Sequence, residues 1–150
     1  MRISSFALAA ACIAGCATLT QDSLDTRFGA ADPTRFDQAA VPAPGGVSYR
    51  QDVRPILERR CVVCHGCYDA PCQLKLGSWE GVARGTSKAL VYDGTRLLEA
   101  PPTRLFVDAQ TASQWRQKGF DAVLNERTPT PENNLAASVL YRSLALKKAH

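Results

Sequence analysis

Residues 61–65 read Cys61-Val62-Val63-Cys64-His65, which is the C-x-x-C-H pattern that attaches c-type haem to a chain. Two thiols three residues apart can reach the two vinyl groups on one edge of the porphyrin and form thioether bonds. The adjacent histidine then lies beside the ring, where an imidazole nitrogen can bind the iron. The sequence therefore predicts one covalent haem c per chain, held by Cys61, Cys64 and His65, with His65 as the iron ligand.

Two further cysteines follow the motif and leave alternatives open. Cys67 and Cys72 flank a turn-prone stretch, which favours a local disulfide between them over a reactive thiol beside the haem. The four cysteines from Cys61 to Cys72 could instead form two disulfides or bind zinc. Structural zinc sites usually place their two cysteine pairs well apart in sequence, so haem is the favoured interpretation.

The ligand on the second face of the iron is not evident in the sequence. Electron-transfer cytochromes c commonly use methionine there, but the only methionine is Met1, which leaves with a signal peptide. The one other histidine is His150, the last residue of the sequence, and chain ends are usually frayed. We therefore expect an iron with an open or weakly held position, which favours chemistry at the metal over simple electron transfer.

The N-terminal residues have the pattern of an export signal. A positive charge at Arg2 precedes an apolar stretch from residue 3 to residue 14, as in a secretory signal peptide. Ile13-Ala14-Gly15-Cys16 resembles a bacterial lipobox, in which Cys16 would become the lipidated N-terminus. An ordinary signal peptide that is cut nearby is the alternative. Both predict a periplasmic protein, and lipidation would anchor it to the outer membrane.

Composition and charge bound the organisation of the chain. A length of 150 residues with 45% hydrophobic and 21% charged residues fits one globular domain, and no apolar run reaches the ~18 residues of a membrane-spanning helix. Lys and Arg number 18 against 14 Asp and Glu and are interspersed, so we expect no nucleic-acid partner. We predict a signal peptide at 1–15, a flexible linker at 16–47 and a haem domain at 48–150.

Helix signals dominate the predicted haem domain. Local patterns predict four helices: residues 48–60 with a capping box at Ser48, Trp79–Arg84 between Ser78 and Gly85, a helix around Trp115 begun by Thr111 or Ser113, and one helix from Pro131 almost to His150. Short extended pieces are predicted at 89–98 and 105–107. The predicted fold class is mainly α, a cytochrome c-like haem domain of short helices and long loops.

The residues around the motif resemble the haem segment of bacterial fatty acid cis/trans isomerases. The resemblance covers roughly residues 48–146 and is carried by residues 57–76, 85–98, 102–106, 108–110, 115–116, 118–120 and 123–127. Its most specific part is Cys67-Tyr68-Asp69-Ala70-Pro71-Cys72, because many cytochromes share C-x-x-C-H alone.

The resemblance implies a periplasmic haem enzyme. Such isomerases convert cis double bonds in the acyl chains of membrane phospholipids to trans, without ATP or an external redox cofactor. It also implies Cys61 and Cys64 as thioether anchors, His65 as the catalytic iron ligand, and association with a membrane surface. Family members are several times longer, so we expect this chain to be the N-terminal haem part, and its activity alone is left open. The alternative is a small monohaem c-type cytochrome lipoprotein for electron transfer or gas sensing.

Overall fold

A computed structural model describes residues 23–38, 44–66, 71–87, 89, 92–93, 96–97 and 101–149. Within these residues the fold is mainly α, as predicted. The helices are α1 (23–28), α2 (Arg54–Arg60), α3 (Val62–His65), α4 (Trp79–Arg84), α5 (Ala112–Gln117), α6 (Pro131–Ala136) and α7 (Val139–Ala149). Turns of 3-10 helix occur at Pro33–Phe36 and Pro71–Gln73, and a π-helical turn occurs at Tyr49–Val53.

The strands are short and form two antiparallel pairs. Strand β1 (Thr86–Ser87) pairs with β4 (Phe120–Asp121), and β2 (Tyr92–Asp93) pairs with β3 (Arg96–Leu97). The pairing of β1 with β4 connects the end of α4 to the end of α5. In the described part of the chain, no helix has both the length and the apolar character that a membrane crossing requires.

Three helices begin at the residues that the sequence predicts. The side chains of Ser78, Thr111 and Thr130 accept hydrogen bonds from the backbone N–H of Gly81, Gln114 and Asn133, respectively. Each hydroxyl satisfies a donor that the first helical turn leaves unpaired. These caps depend on residues only three positions apart, so the sequence alone was sufficient to locate them.

The helix predicted over residues 48–60 is divided in two. A π turn at Tyr49–Val53 precedes α2. Ser48 caps this turn, since its hydroxyl accepts from Gln51 N at 3.3 Å and its own N–H donates to the Asp52 carboxylate at 2.6 Å. Regular helix begins only at Arg54, next to Pro55, because proline fits the first turn of a helix but not its interior.

The prediction of one long C-terminal helix is wrong. The helix is interrupted between α6 and α7, where Ser138 is buried. The Ser138 hydroxyl donates to Val123 O at 3.0 Å and accepts from Tyr141 N at 3.2 Å, so it begins α7. The extended piece predicted at 105–107 is also wrong, because Phe106 has φ +68° within a turn.

The described residues form two hydrophobic clusters, and α4 contributes Val82 to the first of them. The first contains Leu74, Leu76, Val82 and Val123, with Tyr49, Leu57, Cys61, Val62, Leu124 and Leu140 packed against it. The second contains Ala109, Trp115 and Phe120, with Leu105 packed against it. The first cluster supports the C-x-x-C-H segment directly, because Cys61 and Val62 contact it.

Part of the predicted flexible linker is packed against the domain. Phe28 is only 7% exposed, and its carbonyl accepts a hydrogen bond from Thr128 N. Asp25 pairs with Arg127 at 2.7 Å, and the Asp37 carboxylate accepts two hydrogen bonds from Ser113. Residues 23–38 therefore belong to the folded domain, contrary to the linker expected from their composition.

Truncating Phe28 tests this packing. We expect Phe28→Ala to lower the free energy of unfolding by about 3 kcal/mol, because a buried aromatic ring is lost. Leu24→Ala, in the same helix but at a side chain that is 40% exposed, should cost less than about 1 kcal/mol. Urea denaturation of the full chain measures both values. Equal, small losses would show that this segment does not pack on the domain.

Candidate functional site

The C-x-x-C-H residues lie in one helical turn. Cys61 ends α2, where its N–H donates to Leu57 O at 2.8 Å, and it also begins α3. Its carbonyl accepts from Cys64 N at 3.1 Å and from His65 N at 2.9 Å. Residues three and four positions apart share one face of a helix, so the structure brings the three predicted haem-binding residues together.

The imidazole of His65 is oriented by a backbone carbonyl. Its Nδ1 lies 3.2 Å from Leu74 O, and the His65 carbonyl accepts from Leu76 N at 2.8 Å. A carbonyl can only accept, so Nδ1 is the donor, and in the neutral imidazole with this tautomer Nε2 has the free lone pair. This is the arrangement in which neutral histidine binds a metal, with the second nitrogen held by a backbone acceptor.

The surroundings of the motif fit a flat apolar group. Cys61 is half-buried against the first cluster, whereas Cys64 is exposed. Two apolar side chains in α2 and α3, Ile56 and Val63, are 55% and 86% exposed. A porphyrin attached at this turn could cover apolar surface that is open to water, so the residues present are compatible with a haem.

The segment after the motif has an unusual backbone. Cys72 and Gln73 both have φ +54°, a region that L-residues seldom occupy. The Gln73 side chain accepts from Thr103 N and Oγ1 and donates to Pro101 O. These bonds fix the segment that carries the Leu74 carbonyl, so they position His65 indirectly.

Several predicted site residues lie outside the described part of the chain. Cys16, Cys67 and His150 are among them, so the predicted lipidation, the disulfide between Cys67 and exposed Cys72, and any role of His150 stay predictions. Among the described residues, no three His, Cys, Asp or Glu side chains are grouped as a metal site would require.

Sequence reasoning missed a buried polar network around α4. Arg116 donates three hydrogen bonds to the Glu126 carboxylate and two more to the carbonyls of Ala83 and Arg84. Arg84 itself is 2% exposed, and burial lowers its pKa from the ordinary arginine value. Nearby, the Tyr49 hydroxyl donates to Leu76 O at 2.9 Å, and burial raises its pKa.

The fold and the site together define a small, mainly α protein with an exposed turn suited to covalent haem attachment. Residues 100–150 match the family model "Fatty acid cis/trans isomerase (CTI)". Over these residues the chain is similar to this family, which supports the family assignment that the resemblance predicts. The matched residues include α5, β4, α6 and α7 but not residues 61–65, so the match supports the family without testing the haem. No curated protein and no solved structure matches the chain.

Proposed function

We propose that this chain takes part, through a covalent haem, in the cis-to-trans isomerisation of unsaturated acyl chains in membrane phospholipids. The family match over residues 100–150 is the observation that carries the proposal, because it supports fatty acid isomerase function in general. The proposal adds haem dependence, a phospholipid substrate and the location of the haem in the N-terminal part of a longer isomerase. It places the protein in the periplasm, with Cys16 as its lipid anchor.

The residues around α3 support the haem part of the proposal. Cys61 and Cys64 would hold the porphyrin edge through thioether bonds, and His65 would bind iron through Nε2. The hydrogen bond from His65 Nδ1 to Leu74 O would keep the ring oriented for binding through Nε2. Because Nδ1 is already committed, the imidazole would not need to change tautomer when iron binds.

The proposed reaction requires the site to lower the barrier to rotation about a carbon–carbon double bond. Rotation about a carbon–carbon double bond requires that its π component be weakened for a short time. When bound, a haem with an accessible iron face supplies reversible electron exchange with an alkene, which weakens that component without net oxidation. The chain's own contribution is to fix the orientation of the His65 imidazole through the Leu74 carbonyl.

An acyl-chain assay tests the proposed function. The full chain, matured with a periplasmic haem-attachment system, is mixed with vesicles of phosphatidylethanolamine that carries cis-palmitoleoyl chains, and gas chromatography measures trans product. We expect trans chains to accumulate with the wild type and with Cys72→Ser, and not with the Cys61→Ser/Cys64→Ser double variant. A haem-loaded wild type that forms no trans product and exchanges electrons rapidly would favour the electron-transfer alternative.

A further inference from the structure

Arg84 is a buried cation that lacks a counter-ion among the described residues. It ends α4 and is 2% exposed. Nη1 donates to Thr103 Oγ1 at 3.0 Å and Nη2 donates to the carbonyl of Gln73, but the buried Nε has no hydrogen-bond partner. Its guanidinium carbon lies 5.4 Å and 5.2 Å from the ring centroids of Trp115 and Phe120.

Among the described residues, no ion pair joins Arg84 to a nearby carboxylate, although Glu80 borders a smaller cavity beside it. Glu126 pairs with Arg116 at 2.6 Å, and the four described ion pairs do not include Arg84. Asp37, which borders the same smaller cavity, accepts two hydrogen bonds from Ser113. Burial of an arginine without a paired anion is costly. A ligand that brought negative charge would offset that cost.

A cleft with the character of an anion site adjoins this arginine. Its volume is about 350 Å³, roughly ten times the ~30 Å³ that a water molecule occupies in the liquid. Among the described residues, its lining combines two cations, Arg84 and Lys75, with two hydroxyl groups, Ser78 and Thr103, and no carboxylate. Arginine and lysine are side chains that proteins use to bind phosphate, whereas the Thr103 hydroxyl already donates to Gln73 and instead helps to hold Arg84 in place.

Part of the lining of the cleft is apolar. Leu105 and Phe106 line it, and Phe106 is 59% exposed on a backbone with φ +68°. The next residue, Val107, is 64% exposed. A buried cation beside exposed apolar side chains matches an amphiphile whose phosphate enters the cleft while its hydrocarbon remains at the surface. A free inorganic anion would use the cationic part of the lining alone.

We propose that this cleft, here called the Arg84 cleft, binds a phosphate group, and that the phosphate is the phosphodiester of a phospholipid. That the cleft binds a phosphate group is independent of the proposed function. That the phosphate belongs to a phospholipid rests on the proposed function and names the part of the substrate that the chain would hold. Arg84 is the buried counter-cation, Lys75 adds a second positive charge, and Phe106 contacts the hydrophobic part of the lipid.

The first experiment measures phosphate binding by the full chain. Thermal unfolding is followed in sodium phosphate and in sodium chloride at equal ionic strength. We expect a saturable rise of about 5–10 °C in the unfolding temperature at a hundredfold excess of phosphate over its Kd. Arg84→Gln should abolish the rise, and Lys75→Gln should weaken the phosphate affinity about tenfold. Lys118→Gln removes an exposed lysine that does not line the Arg84 cleft and should leave the rise intact.

The variants separate specific binding from misfolding and from general charge effects. Far-UV circular dichroism shows whether the Arg84→Gln variant folds. If that variant does not fold, Lys75→Gln still tests phosphate binding in the cleft. Equal loss of the phosphate effect in Lys75→Gln and Lys118→Gln would contradict a site in the cleft. No phosphate effect on the wild type would overturn the proposal altogether.

The second experiment identifies the source of the phosphate. Isothermal titration compares inorganic phosphate, glycerophosphocholine and dihexanoylphosphatidylcholine below its micellar concentration. We expect the lipid to bind about tenfold more tightly than glycerophosphocholine and to lose that advantage in Phe106→Ser. Binding of inorganic phosphate without binding of the lipid would keep the anion site and overturn the lipid assignment. Neither result depends on haem or isomerisation, so failure here is distinguishable from failure of the proposed function.

Discussion

Replacing His65 with alanine is expected to lower the rate of isomerisation at least about 100-fold. Changing a residue that merely orients a metal ligand already lowers activity or metal affinity about 10–100-fold, and His65 is the proposed ligand itself. The thioether cysteines remain, so the haem content and the unfolding curve should change less than the activity. The visible spectrum of the ferric protein should shift, because the proposed nitrogen ligand from Nε2 is gone.

The chain provides a matched control for this prediction. His150 is the one other histidine, and His150→Ala should leave both activity and spectrum unchanged. A His65→Ala protein with the wild-type spectrum and full activity would show that His65 is not the iron ligand. A loss caused equally by His150→Ala would instead identify the terminal histidine as a second ligand.

Gly85→Ala is expected to be the most destabilising single substitution at a glycine. Gly85 ends α4 with φ +80° and ψ −147°, a conformation that is essentially restricted to glycine. A Cβ there would lie 1.9 Å from Asp121 O, in the strand that pairs with β1. The Cβ is fixed to the backbone and would meet a backbone oxygen, so no side chain can rotate away to relieve the clash. Relief requires β1 and β4 to separate, and we expect the free energy of unfolding to fall by more than about 4 kcal/mol.

Gly119→Ala is the matched control for that effect. Gly119 also has a positive φ, +83°, but a Cβ there would meet nothing within 4 Å. Only the backbone preference is lost, so the cost should be about 1 kcal/mol. Chemical denaturation of the two variants compares them directly. Similar losses at both positions would mean that the close approach of Gly85 to Asp121 does not constrain the fold.

The sequence was sufficient to predict features of the fold that depend on near neighbours. Ser78, Thr111 and Thr130 bond to backbone N–H groups three residues away, so their spacing is visible in the sequence. The break at Ser138 depends on Val123, 15 residues earlier. The packing of residues 23–38 depends on pairs such as Asp25 with Arg127, 102 residues apart. Composition alone could not reveal such long-range contacts.

The same distinction applies to the site. Cys61, Cys64 and His65 are recognisable because the chemistry requires them in one short motif. The Leu74 carbonyl that orients His65 could not be recognised in the sequence, since every residue has a carbonyl. It lies beside the imidazole because hydrogen bonds of the neighbouring Gln73 fix the backbone there. Arg84 reads in the sequence as a basic residue at the end of a helix, and only the structure shows that it is buried.

The most direct test of the account is the optical spectrum of the full chain after maturation with a periplasmic haem-attachment system. We predict a ferrous c-type spectrum that survives extraction with acidified acetone and shifts when carbon monoxide is added, because a covalent haem would have one accessible iron face. The Cys61→Ser/Cys64→Ser variant should lose the haem on extraction. A wild-type chain that retains no haem under the same treatment would contradict the account.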